Sequence, residues 1–117
     1  MICRMWHGWT SPEKADSYER YLREELFPRV KRELQGRGYL GFHILRQAEK
    51  GEVEFATMVW FESLEAVKSF AGENYSTPVL SEKARSLLAH YDDEVRHYDL
   101  RGSSWPEFQE DERALIP

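Results

Sequence analysis

The chain carries four histidines, His7, His43, His90 and His97, and these are its residues best suited to moving a proton. An imidazole with an ordinary pKa of ~6.5 can draw a proton from a phenol near neutral pH. His7, His43 and His97 lie in three segments that read as strands, so they converge if their side chains share a face. Three strand imidazoles could also hold a metal ion. No two of them show the H-x-H or H-x-x-x-H spacing of a local ligand pair, so no metal site is expected. The plainer reading of each is a structural hydrogen bonder. Trp6, Trp9 and Trp60 offer flat rings for a flat ligand, although tryptophans also simply fill small cores. Asp92, Asp93 and Glu94 are consecutive acids and read as a solvated turn. The chain has no Ser/His/Asp signature, no G-x-x-x-x-G-K-[ST] and no G-x-G-x-x-G, so hydrolase, nucleotide-binding and dinucleotide-binding readings lack support.

The elements that must position these residues follow from periodicity. In VEFATMVWFE, Val53 to Glu62, bulky apolar residues fall on both parities, which marks a strand that must be covered on both sides. Residues 2 to 9 alternate Ile2, Arg4, Trp6, Gly8 against Cys3, Met5, His7, Trp9 and read as a first strand. Ser11, Pro12 and Glu13 announce a helix, with the Ser11 side chain as cap. Its apolar stripe is Tyr18, Leu22, Leu26, Val30 and Leu34, and Pro28 predicts a kink or break near Leu26. Gly36 and Gly38 release the chain into a second strand, Tyr39 to Ala48.

A two-residue turn at Lys50 and Gly51 sets the register of the hairpin: opposed residue numbers sum to 101, with Ile44 facing Thr57 and Phe42 facing Val59. Phe42, Ile44, Phe55, Val59 and Phe61 then form the face given to helices. Gly41, His43, Leu45, Ala56, Met58 and Trp60 form a mixed face, the better candidate for a pocket or a dimer seam. Ser63 caps a short helix from Leu64 to Ala71 with Leu64, Val67 and Phe70 inward. A further helix is expected from about Val79 to Ala89, with Leu80, Ala84, Leu87 and Leu88 inward, and a last strand from Asp92 to Leu100.

The order β-α-β-β-α-α-β is, apart from one extra helix, the ferredoxin-like βαββαβ pattern: an α+β fold with a four-stranded antiparallel sheet and helices on one face. The bare face calls for a second copy, so a homodimer is expected. Residues 1–100 form this domain and 101–117 a C-terminal tail whose Trp105 and Phe108 suggest docking on the partner subunit or on the same subunit.

Composition bounds the rest. The 117 residues suit one domain, and 41% hydrophobic with 32% charged residues is ordinary for a globular protein. A net charge of −5 argues against a nucleic-acid partner. Cys3 is the single cysteine, so an intrachain disulfide and a thiolate metal cluster are excluded and a reducing cytoplasmic setting is expected. The opening MICRMWHGW does not match a secretory signal, and no apolar run reaches the ~20 residues that cross a bilayer, so no membrane partner is expected.

Three stretches, GYLGFHILRQ, VEFATMVWFESLEAVKSFAGENY and KARSLLAHYDDEVRHYDL, resemble the antibiotic biosynthesis monooxygenase family of the dimeric α+β barrel superfamily, over roughly residues 2 to 100. The strand–Trp–Phe–x–Ser–helix junction, the Phe-Ala-Gly helix end and the final His-Tyr strand carry the likeness. The resemblance implies a dimeric α+β barrel. It also implies one of three functions: cofactor-independent oxidation of small aromatic or polyketide-like compounds with dioxygen, haem degradation, or a non-catalytic ligand-binding or scaffold dimer. The haem-degrading branch uses a first-strand Asn, a Trp on the helix after the third strand and a His about ten residues beyond. Here Phe70 and a residue near Leu80 stand at the latter two positions, and the first strand has no Asn, so haem is not expected. For the cofactor-independent reading, His7, His43 or His97 would be the catalytic base, and Trp6, Trp60, Met58 and Arg46 the residues around a small aromatic ligand. No cofactor is called for.

Overall fold

The structure is a computed structural model that describes residues 1–104. Strand β1 (Ile2–Thr10) leads into helix α1 (Pro12–Tyr21), a π-helical turn (Leu22–Leu26) and helix α2 (Phe27–Leu34). Strands β2 (Tyr39–Glu49) and β3 (Glu52–Phe61), helices α3 (Leu64–Ala71) and α4 (Glu82–Leu87), and short strands β4 (His90–Tyr91) and β5 (Arg96–Asp99) complete it. The sheet runs β2-β3-β1, with β4 and β5 both antiparallel to β1 on its far side. This is the expected ferredoxin-like α+β arrangement, with one correction. The last strand is split, because the acidic residues Asp92 to Glu94 and Val95 leave the ladder between β4 and β5.

The β2–β3 hairpin keeps the register that its turn dictates. Lys50 and Gly51 take φ of 49° and 83°, the left-handed pair that a two-residue hairpin loop requires. Ile44 accordingly lies opposite Thr57 and Phe42 opposite Val59. Burial follows the alternation: Val53, Phe55, Thr57, Val59 and Phe61 are buried under the helices, while Glu54, Ala56, Met58 and Trp60 are half-exposed on the open face. In β1 the parity of Arg4, Trp6, Gly8 and Thr10 matches the buried residues of β3, and that of Met5, His7 and Trp9 matches the open face.

The helical layer departs from the simplest pattern where Pro28 intervenes. Proline cannot donate to the Glu24 carbonyl, and the chain loosens into a π turn in which the Phe27 N–H reaches back to the Leu22 carbonyl. The extra residue rotates the stripe, so Phe27 is buried where Leu26 was expected and Leu26 is only half-buried. Ser11 sits at the head of α1 without a side-chain cap, its carbonyl accepting from the Lys14 N–H instead. Ser63 does cap α3, accepting from the Ala66 N–H at 3.2 Å, but Leu64 points outward, and Ala66 with Val67 takes the buried positions. The last helix is shorter than its periodicity suggests. Ser81 caps it, so it begins at Glu82 rather than near Val79, and extended backbone at Leu88 ends it.

Gly38 marks where this layer meets the sheet. Its φ is 92°, its carbonyl accepts from the Glu62 N–H at 2.8 Å, and an added Cβ would lie 2.6 Å from the Cβ of Ala66. A Gly38→Ala variant combines left-handed strain with a backbone-level clash and should lose about 2 kcal/mol or more. Urea unfolding checks this; a loss within ~0.5 kcal/mol, the range of an ordinary surface change, would contradict it.

Candidate active site on the inner face of the sheet

Two concavities lie on opposite faces of the sheet. The inner one, between sheet and helices, has a volume of about 60 Å³ and is walled by Trp6, Tyr18, Tyr21, Phe27 and Phe70 together with Arg4. The outer one is an open apolar groove of about 660 Å³ over Met1, Leu40, His43, Leu45, Met58 and Trp60.

Arg4 is the unusual residue. Its side chain leaves β1 on the inner face and is 5% exposed. Nη1 donates to the Tyr75 carbonyl and to His97 Nε2 at 3.0 Å, Nη2 donates to the Thr77 carbonyl at 3.3 Å, and the Phe70 ring centroid lies 5.4 Å from Cζ. Among the described residues no carboxylate lies within ion-pair distance of it, and burial pulls its pKa down to about 10. It therefore remains a cation at neutral pH, held in an aromatic wall by carbonyl dipoles and a π face. Since a guanidinium can only donate, His97 Nε2 is the acceptor and its proton sits on Nδ1. Burial and the neighbouring Arg4 charge both hold His97 below its ordinary pKa. Tyr18, whose ring packs edge-on against Phe55, has its phenol pushed up by burial and by Tyr21 beside it.

The sequence-predicted residues divide between the two faces. Three strand histidines do not converge: His97 faces inward with Arg4, whereas His7 and His43 face outward. His7 pairs with Asp92 at 3.0 Å, and His43 Nδ1 accepts from Trp60 Nε1 at 3.0 Å. His90 lies on β4, stacked on Trp9 at 4.7 Å and bonded to Glu52. Trp6 lines the inner cavity and donates to the Asp92 carbonyl at 2.8 Å, while Trp60 and Met58 line the outer groove, so the two tryptophans share no cavity. Arg46 is on the helix side of β2 but is held at the surface by Asp16 and Glu19 at 3.0 and 2.9 Å, away from the inner cavity. Among the described residues no cluster of three or more His, Cys, Asp or Glu is arranged for a metal. Arg4, Tyr21 and Phe27 are the site residues that sequence reasoning missed; the available signal was that Arg4 shares the parity of Trp6.

Phe70, which the resemblance sets at the Trp position of haem-degrading relatives, and Leu80, near which it sets their His position, both line the inner cavity. Neither side chain can ligate iron. Among the described residues the cavity wall holds no imidazole or thiolate, and the buried Tyr18 phenol is disfavoured as an anion. The donor set does not fit haem.

Comparison with solved structures places this geometry. The chain superposes on a candidate antibiotic biosynthesis monooxygenase from Bacillus cereus with a TM-score of 0.59 and 15% identity, over 92% of this chain and 98% of that one. A second such candidate, from Chloroflexus aurantiacus J-10-fl, gives a TM-score of 0.53 and 15% identity, over 89% and 96%. Neither a protein-family model nor a curated protein sequence matches the chain. The likeness is one of fold: this chain has the α+β fold of the antibiotic biosynthesis monooxygenase structures, as the three resembling stretches implied. No helix among the described residues is long and apolar enough to cross a membrane.

The depressed pKa of His97 has a signed consequence. As pH falls through 6.5, the unfolded chain takes up this proton before the folded one does, so stability holds above that pH and declines below it. Thermal melts from pH 7.5 to 5 should show a shallower decline for His97→Gln than for wild type; parallel curves would contradict the assignment.

Proposed function

We propose that the protein is a monooxygenase-like enzyme of the antibiotic biosynthesis type, oxidising a small aromatic or polyketide-like phenol with dioxygen and no metal or flavin. The observation that carries this reading is the buried Arg4 guanidinium in the wall of an otherwise largely apolar cavity, to which Trp6, Tyr18, Tyr21, Phe27 and Phe70 contribute rings. A cation in a site of low dielectric favours phenolate over phenol, and it favours the charge that builds up when phenolate passes an electron to dioxygen. In the net reaction a phenol with a para C–H and one dioxygen give a para-quinone and one water. One oxygen atom enters the ring, the other leaves as water, and the phenol supplies all the electrons. Phe70 and Leu80 would flank the ring. His97, whose Nε2 is engaged by Arg4, positions the guanidinium, and the phenolic proton leaves to solvent at the Val79 side of the cavity. This reading moves the burden from the strand histidines to Arg4.

A second reading, a non-catalytic ligand-binding or scaffold dimer, is favoured by one observation. The inner cavity of about 60 Å³ is well under the ~150 Å³ that holds benzene, and further under the ~300 Å³ of ordinary ligand pockets. Oxygen-electrode and absorbance assays with hydroxynaphthalenes and anthrones separate the two. The enzyme reading expects quinone formation matched to oxygen uptake, reduced about 100-fold by Arg4→Met and within twofold of wild type in His43→Ala. Uptake no faster than the buffer background with every compound would leave the binding reading in its place.

The same proposal includes a homodimer joined through the open faces. Met1, Leu40, Leu45 and Leu100 are 55%, 45%, 54% and 39% exposed there, an apolar surface of the kind a second copy would cover. Sedimentation velocity at micromolar concentration should give twice the mass of the 117-residue chain; a single-chain mass would remove this part of the proposal.

A further inference from the structure

We infer that the inner cavity binds an organic carboxylate, and that Arg4 is the residue that recognises it, so the proposed aromatic ligand carries an acid group besides its ring. The inference rests on the inner cavity being the ligand site, and it gives the two unengaged Arg4 donors to the acid group, leaving the phenolate to the field of the guanidinium alone. A guanidinium has five N–H donors. Three are used, two on Nη1 toward Tyr75 and His97 and one on Nη2 toward Thr77, and the Nε–H and the second Nη2–H are given no acceptor by the described residues. Two free donors on one planar group match the two oxygens of a carboxylate.

The surroundings argue against a purely structural role for Arg4. An arginine that only tied the Tyr75–Thr77 segment to β1 would do so as well from a wetter position, yet this one is buried with the Phe70 ring over its guanidinium, in the wall of a cavity that Trp6 and Phe27 also line. The residues flanking it set the geometry further. Pro78 and Val79 follow Thr77 directly, line the same cavity, and Val79 is 51% exposed, so the wall beside the guanidinium is the one that reaches solvent. A ligand entering there places its acid group on Arg4 and its ring against Phe70 and Leu80, which suits a cavity too small to enclose the whole molecule. Chloride or phosphate would satisfy the charge but leave the aromatic wall unused, so an aromatic acid is favoured.

The test compares benzoate with benzamide, nearly isosteric and different in charge, by calorimetric titration of the full chain at pH 7 without turnover. Benzoate should bind at least 10-fold more tightly, and Arg4→Met should abolish the difference while Arg4→Lys retains part of it. Should Arg4→Met not fold, the wild-type Arg4 Nε–H resonance decides: it moves downfield with benzoate and stays in place with benzamide. Equal affinities, a preference that survives in Arg4→Met, or an unmoved Nε–H would overturn the inference. The outcome is separable from that of the oxygenase assay. Benzoate preference without oxygen uptake would reject the oxygenase reading alone, and oxygen uptake on a neutral anthrone without benzoate preference would reject the carboxylate alone.

Discussion

One layer of helices can cover only one side of a sheet, and the rest of this molecule is arranged around that limit. Strand β3 lies between two neighbours and alternates strictly, with Phe55 and Phe61 almost fully buried beneath α1 and α3 and with Met58 and Trp60 turned the other way. Through the register most residues of β1, and those of β2 beyond its irregularity at Tyr39/Gly41, are assigned to one face or the other. The alternation therefore decides which candidate residues meet: Arg4, Trp6 and His97 go to the dry side, and His7, His43, Met58 and Trp60 to the side left open.

On the dry side the expensive group is a charge. A buried guanidinium without a carboxylate is costly unless dipoles and π faces replace its water. Here the Tyr75 and Thr77 carbonyls, the His97 lone pair and the Phe70 ring do so. These partners come from three different parts of the chain, so Arg4 also fixes the segment between α3 and α4 against the sheet. The arrangement leaves two of the guanidinium's donors without an acceptor among the described residues, on a side chain that lines a cavity.

Much of this was legible in the sequence. The two-residue turn at Lys50 and Gly51 fixed the β2–β3 pairing, because left-handed φ at both positions admits one register and the alternation then assigns every face. Ser63 and Gly72 bounded α3 through local hydrogen bonds that depend on nothing distant. The misses have distant causes. Whether the Ser81 hydroxyl or the periodicity at Val79 starts α4, and where the last strand breaks, depend on docking against β1, whose His7 and Trp9 carbonyls accept from Asp92 and Ala89. The convergence of histidines failed because His97 lies opposite Arg4 on the inner parity, and no local turn in the sequence sets the pairing of the last strand with β1. Arg4 was overlooked because a charged residue in a strand reads as solvent-facing until its neighbours of the same parity are seen to be buried. The expectations for the C-terminal tail at Trp105 and Phe108 lie outside the described residues.

The proposed ligand enters between the sheet and its helices and not on the open face. The two indole N–H groups report on this separately, since Trp6 donates to the Asp92 carbonyl inside and Trp60 to His43 outside. In a titration with benzoate followed by two-dimensional ¹⁵N–¹H NMR, the Trp6 indole resonance should shift progressively while that of Trp60 holds still. A shift confined to Trp60 would move the site to the other face and contradict the account.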